Sequence, residues 1–344
     1  MPTDPRNILV IHIAGLGQTV LALPALGSLR QHLPSARITV ASSAAAADLL
    51  RLAGSVNEVL PVGRLRGGEV FYPSAFYRGA KSLGEIRRGL YDLAIEFQSN
   101  TEAGIAMQLA NPAARLSRKS TTLGAVIEKV VPGLIKQTSP HVAHEYLKRL
   151  EPLGVRPTES EPRIGTDKAS DEQIERLLRK HGLQMGELLA GIHAGAGPGR
   201  PRWPLERFAS IGARLIHNFN ARVLVFAGPS ERGMAKRLVA LLPAKRAIPI
   251  QSPKIADFVS AAARLSLFIG NHSGPAHLAA AAGAPVVAVS ASLKTTGQAT
   301  PHDLLGNRVE HLRAPHIELV SEEEVYEAAS RLMKINRADF LRSR

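Results

Sequence analysis

A chain of 344 residues, 45% of them hydrophobic and 21% charged, is too long for one small core and suits two globular domains; it is neither disordered nor fibrous. The net charge of +14 favours an anionic partner, whether a phosphorylated metabolite, nucleic acid or a lipid headgroup surface. With no cysteine, disulfides and thiol chemistry are excluded.

Ile8–Ile13 reads as a buried parallel strand, an apolar run that ends at Gly15 and Gly17. The run is too short to span a bilayer and lacks a small-residue cleavage site. A cytoplasmic protein that touches a membrane through charge is therefore expected. Thr19–His32 has helical apolar spacing, with Pro34 just beyond its end. Arg37–Ala41 is a second strand, "AAAADLLRLA" a second helix, and "EVLPV" and "YDLAIEF" are further strands. This alternation predicts an α/β fold with a doubly wound parallel sheet. Across Gly154–Ser170 the periodicity fails and proline and polar residues gather, which marks a linker.

The second half repeats the plan. "LLAGIHAGAGPG" is a strand running into a glycine-rich loop, and "PLERFASIGARLIHNF" is a helix. "ARVLVFAG", "LSLFIGN" and "APVVAVSAS" are three more strands, interleaved with helices. Ser321 and Glu324 have capping-box spacing ahead of a helix that should pack through Val325, Ala328 and Leu332. The expected division is residues 1–160, residues 171–320 and a C-terminal helix over 321–344. Two such domains in tandem predict a cleft between the carboxyl ends of their sheets.

The first glycine turn is not a dinucleotide fingerprint. Gly15 and Gly17 fit G-x-G-x-x-G, but the third position is Val20, and the second strand ends in "VASSAAA" without an acidic ribose partner. What remains is a turn with exposed amides, suitable for a sugar or phosphate. "GNHSGPAHLAAAAGAP", Gly270–Pro285, is richer. A strand ends, a polar turn follows, and proline enters the first turn of a helix, where its missing N–H costs nothing. The positive end of that helix, the Ser273 hydroxyl and His277 together form an anion site, with Asn271 and Gly274 beside them.

Taken in order, "GLGQTVLALPAL", "IHAGAGPGRPRWPLERF", "VFAGPSE" and "FIGNHSGPAHLAAAAGAPVVAV" resemble glycosyltransferase family 9, the ADP-heptose:lipopolysaccharide heptosyltransferases and their relatives. The resemblance runs from Ile8 to about Val289. It implies two Rossmann-like domains in the GT-B arrangement, with acceptor on the N-terminal half and nucleotide sugar on the C-terminal half. It also implies inverting transfer of heptose to the inner core of lipopolysaccharide at the cytoplasmic face of the inner membrane.

In an inverting transfer a base deprotonates the acceptor hydroxyl, and the leaving diphosphate must be met by helix amides and basic side chains. The chain has no Asp-x-Asp metal motif, so the expected reaction is metal-independent, with an ADP-sugar as donor substrate and no further cofactor. Arg200 and Arg202 are candidate phosphate contacts, taking the role of the family's lysine, whose position holds Pro201. The resemblance places Glu231 on the nucleotide ribose and Ser252–Ile255 against the adenine.

Charge marks the acceptor side. Arg64, Arg66, Arg78, Lys81, Arg87 and Arg88 are opposed by only Glu69 and Glu85, which suits an anionic glycolipid or glycan on a membrane surface. Nucleic acid is not expected, because aromatic residues make up 4% of the chain and no stacking motif is present. In the family's first loop an Asp is the proposed base, and here Gln18 stands in its place. His272 stands where the family commonly has Asp. An amide can orient a hydroxyl but cannot take its proton. Either a histidine, His272 ahead of His12, serves as the base, or the protein binds a nucleotide sugar or glycan without catalysing.

Overall fold

The computed structural model describes residues 4–62, 73–98, 100–117, 141–158, 160–184, 186–243, 245–294, 299–306 and 308–342, without the side chains of 73–80 and 336–342. The chain divides into two compact units, Met1–Ser160 and Glu161–Arg344.

The first unit is built on β1 (Asn7–His12), β2 (Arg37–Ser43), β3 (Glu58–Val62), β4 (Leu93–Glu96) and β5 (Ala114–Leu116). These five strands pair in parallel in the order β3-β2-β1-β4-β5. Its helices are α1 (Leu16–His32), α2 (Ala44–Ala53), α3 (Pro73–Arg88), α4 (Thr101–Ala110) and α5 (Val142–Leu150). Leu9, Ile11 and Ala94 pack against Ile86 of α3 and Ala103, Ala106 and Met107 of α4. Helix α1 begins three residues earlier than its spacing predicts, and its apolar residues are buried over more than one face because α2 and α5 both lie on it.

The second unit contains β6 (Leu189–His193), β7 (Arg222–Ala227), β8 (Ala247–Gln251), β9 (Leu267–Asn271), β10 (Val286–Ala291) and β11 (Val309–Ala314). The six-stranded sheet is parallel in the order β11-β10-β9-β6-β7-β8, which is the 3-2-1-4-5-6 winding of a dinucleotide-binding fold counted from β6. Its helices are α6 (Lys168–Lys180), α7 (Leu205–Phe219), α8 (Arg232–Leu241), α9 (Ile255–Ala262), α10 (Gly274–Ala281) and α11 (Glu322–Arg342). One core cluster joins Ile192, Val225, Ile269 and Val289 of the sheet to Trp203, Phe208 and Leu332.

Strands β5, β8 and β11 have no counterpart in the sequence reading. All three are edge strands, where burial on both faces is not required, so the apolar run that marks a central strand is missing. Pro249 in β8 and Pro61 in β3 sit at edges for the same reason: a missing N–H leaves no gap in the interior of the ladder. The capping box forms as expected, with Ser321 N–H donating to Glu324 Oε2 at 2.9 Å and Glu324 N–H to Ser321 Oγ at 3.2 Å. Val325, Ala328 and Leu332 are buried as expected, and α11 lies within the second unit. The stretch read as a linker is tied down at both ends. Thr158 lies 3.2 Å from Ser28, and Ile164 N–H donates to the Ala281 carbonyl at 3.0 Å.

Candidate functional site

In an open parallel sheet the winding reverses direction at one point, and ligands bind beyond the carboxyl ends of the strands there. In the second unit that point lies between β6, ending at His193, and β9, ending at Asn271. Two loops and one helix start meet at this edge.

The loop after β6 is fixed by Asn271. Its Nδ2 donates to the Ala194 and Gly195 carbonyls at 2.9 and 3.1 Å, and its Oδ1 accepts the Trp203 N–H at 2.9 Å. Asn271, expected from its motif to be a donor contact, braces the loop from below. Its side-chain hydrogen-bonding groups are spent on the backbone. The loop's Arg200 and Arg202 stand exposed above this clamp.

Glu231, in the turn after β7, closes the loop from the other side. Its Oε2 accepts from His193 Nε2 at 2.9 Å and from the Gly228 N–H at 2.8 Å. Its Oε1 lies over Gly195, where a Cβ would come within 1.9 Å of it. Burial raises the carboxyl's pKa, but the His193 bond, the Gly228 amide and nearby Arg202 outweigh burial and hold it below the usual range.

Helix α10 starts at Gly274 with Pro275 in its first turn and no acidic residue there. Its N-cap, Ser273, does not use its side chain as a cap, and Ser273 Oγ is buried without a hydrogen-bond partner among the described residues. The same holds for His272 Nε2 and, at the ends of β6 and β8, for His193 Nδ1 and Ser252 Oγ. Orphaned buried polar atoms are rare in folded proteins, and four of them gather at the carboxyl edge of one sheet. Ser252 also holds a left-handed backbone, φ 48°, unusual for a residue other than glycine.

His272 packs edge-on against His277, with ring centroids 5.2 Å apart. Burial, then the charges of His311 and Arg313, lower its pKa to about 4 against the pull of Asp303. The expectation of an imidazole near its ordinary pKa is thus corrected. His272 is neutral at physiological pH and a weak base. One ligand-type atom each from His272, Asp303 and His311 lie within 4.8 Å of one another. The Asp303 charge is already met by Arg313 at 2.5 Å, and the positive end of α10 is adjacent, so this cluster suits an anion or a hydroxyl better than a cation.

In the first unit the switch point lies between β1 and β4. Gly15, Gly17 and Gln18 form the half-buried first turn of α1, with no side-chain cap and no acidic residue. His12 is sealed beneath them at 0% exposure, edge-on to Tyr146 at 5.4 Å and Phe97 at 6.0 Å. Its pKa falls to about 3 through burial, partly offset by a hydrogen bond to the Gln18 backbone. This is the packed core histidine that strand alternation favours. Glu96, which the motif reading passed over, ends β4 directly beside Ile11. Burial raises its carboxyl's pKa, against the opposing charge of Arg149.

Within the described part of the basic segment, Arg87 and Arg88 do not lie at this edge. Arg64 and Arg66 lie outside the described residues, as does the side chain of Arg78. Arg87 and Arg88 are exposed in the last turn of α3, which leads back to the start of β4. That is the amino edge of the sheet, a strand's length, roughly 15–20 Å, from Gly15 and Gln18. Arg87 and Arg88 thus lie apart from Gly15 and Gly17, because a helix antiparallel to its strands ends at the far edge.

The sequence profile of glycosyltransferase family 9 (heptosyltransferase) matches residues 80–327. This chain belongs to glycosyltransferase family 9. A Haemophilus influenzae protein provisionally assigned as a glycosyltransferase is 24% identical over 296 residues, 82% of this chain and 81% of that one. The family 9 glycosyltransferase of Veillonella parvula superposes with a TM-score of 0.80 at 21% identity, covering 97% of this chain and 99% of that one. The ADP-heptose lipopolysaccharide heptosyltransferase II of E. coli gives 0.73 at 19% identity, covering 96% and 99%. An E. coli heptosyltransferase solved with ADP gives 0.70 at 18% identity, with the same coverage. The fold of this family 9 glycosyltransferase is thus the GT-B type, two Rossmann-like units. Among its described residues no helix is long and apolar enough to cross a membrane.

Proposed function

We propose that the protein transfers a heptose or related sugar from an ADP-sugar to a lipopolysaccharide-core-type or other anionic glycan acceptor, with inversion and without a metal. The observation that carries the donor half is the α10 start, where Ser273 Oγ and His272 Nε2 are buried without a hydrogen-bond partner among the described residues, with exposed Arg200 and Arg202 on the clamped loop. A diphosphate suits a helix start flanked by two exposed arginines. Glu231 Oε1 and the Ser252 loop then meet the ribose and base. On the first unit, the α1 turn at Gly15–Gln18 receives the acceptor hydroxyl.

The acceptor oxygen attacks the anomeric carbon as its proton leaves, and the bond to the diphosphate breaks with both electrons going to ADP. The α10 dipole and the two arginines meet that growing charge. Gln18 orients the hydroxyl. Glu96 takes the proton: it is a carboxylate beside β1 at the carboxyl edge, and burial moves its pKa toward neutrality.

The second reading is a family member that binds without turnover, favoured by Gln18 and by the weak basicity of His12 and His272. Calorimetry with ADP and UDP tests the donor, and clear preference for UDP, or heat from neither, rejects it. Sugar transfer by the wild type, Glu96→Gln, His272→Ala and Gln18→Asp tests the chemistry. Loss in Glu96→Gln at unchanged ADP affinity supports the base. Wild-type turnover that survives Glu96→Gln removes it. Turnover that appears only in Gln18→Asp establishes a binder.

A further inference from the structure

A buried histidine and a largely buried glutamate hold one another at the carboxyl edge of the second sheet. The His193 side chain is 6% exposed and that of Glu231 12% exposed, with Nε2 and Oε2 2.9 Å apart. They come from different strands: His193 ends β6, and Glu231 follows β7 through the Gly228 turn. His193 faces Gly270, whose missing side chain leaves room for it. A Cβ there would meet the His193 carbonyl oxygen at 3.0 Å and His193 Cβ at 3.7 Å.

A glutamate side chain has three rotatable bonds, and this one is fixed by two donors on a single oxygen. With Oε2 held, Oε1 is fixed over Gly195, where a side chain would collide with it. One oxygen is thus spent on the protein and the other is presented along the loop that carries Arg200 and Arg202. A carboxylate oxygen held rigidly in this way is suited to a vicinal diol, because a pre-oriented acceptor does not lose side-chain freedom on binding.

We infer that His193 is a positioning residue for recognition of the donor's ribose: by holding Glu231 Oε2 it aims Oε1 at the ribose hydroxyls and makes the site selective for a nucleotide that has them. The inference rests on the proposed placement of the nucleotide at this edge. It adds that selectivity for the diol resides in the pair, not in Glu231 alone, and that His193 acts without touching the ligand.

The test compares ADP with 2′,3′-dideoxy-ADP by calorimetry for the wild type, His193→Leu, His193→Gln and Glu231→Ala, with thermal unfolding run on each. The wild type should prefer ADP by roughly 10- to 100-fold, the range for hydrogen bonds to a charged acceptor. His193→Leu should bind the two alike, and His193→Gln, whose amide can donate to Oε2, should recover most of the preference. A fold defect would weaken both ligands equally and lower the melting temperature, and so cannot imitate loss of preference alone. If the wild type and Glu231→Ala show the same preference, Glu231 does not meet the ribose, and the nucleotide placement fails with the inference. If Glu231→Ala loses the preference but His193→Leu keeps it, the nucleotide placement stands and the inference is overturned.

Discussion

Asn271 holds Trp203 at the carboxyl edge of the second sheet: its Oδ1 accepts the Trp203 N–H at 2.9 Å while its Nδ2 grips the Ala194 and Gly195 carbonyls. The asparagine is 2% exposed and Trp203 1%, so water cannot readily replace these bonds. Asn271→Ala leaves one donor and two acceptors unpaired and should cost roughly 2–4 kcal/mol. Asn271→Asp should be worse at neutral pH, because a carboxylate would face two carbonyl oxygens. Urea unfolding at pH 7 ranks the three proteins. An aspartate variant as stable as the wild type would show that the clamp is not what holds the loop.

Gly195 is the second constraint on the same loop. An alanine there must displace the Glu231 carboxylate, and the crowding should cost about 1–3 kcal/mol with a parallel loss of ADP affinity. Removing Glu231 removes the collision. In a double-mutant cycle Gly195→Ala should therefore be nearly neutral on a Glu231→Ala background. Full additivity of the two changes would refute the contact.

Stability should fall on mild acidification. His12 and His272 have pKa values lowered to about 3 and about 4, against 6.5 unfolded. Between pH 6.5 and 4 the unfolded state binds more protons, so stability is full above pH 6.5 and is lost as the pH falls through that window. Each histidine contributes up to about 1.4 kcal/mol per pH unit. Glu96, whose pKa burial raises, opposes this slope. Asp171, lowered to about 2 first by its bond from Ser260, gives up its contribution only below about pH 4. Urea midpoints at pH 6.5, 5.5 and 4.5 should decline for the wild type and decline less steeply for His12→Leu. An unchanged slope in that variant would mean that His12 is not held neutral.

Arg87 and Arg88 offer a separation of roles. They lie exposed at the amino edge of the first sheet, far from Gln18. Reversing both to Glu should leave ADP binding unchanged while weakening retention on anionic vesicles at low salt. Retention of the wild type should vanish at a few hundred millimolar salt, where the screening length falls to roughly 5 Å. Equal binding to neutral vesicles would reject electrostatic membrane contact.

By itself the sequence determined the winding. Central strands such as "LVIHI" and "LFIGN" are buried on both faces, so their apolar runs are continuous and their order with the intervening helices is legible. The same holds for caps and turns, whose chemistry is local: Ser321 and Glu324 are three residues apart and need nothing else to meet. The motifs also located the α10 start and the Gly15–Gln18 turn, because a helix beginning is written in consecutive residues.

Tertiary structure decided everything that depends on residues distant in the chain. Asn271 reads as a ligand contact in its motif, and only the approach of a loop 76 residues away turns it into a brace. Glu231 belongs to a motif, but its orientation comes from His193, which the glycine-rich loop's pattern does not mark. His272 and His12 keep neutral imidazoles because packing removes water from them, and burial is not a property of a residue's neighbours in sequence. Arg87 and Arg88 look continuous with a basic surface in one dimension. The helix that carries them ends at the opposite edge of the sheet, since a right-handed crossover must return the chain to where the next parallel strand begins.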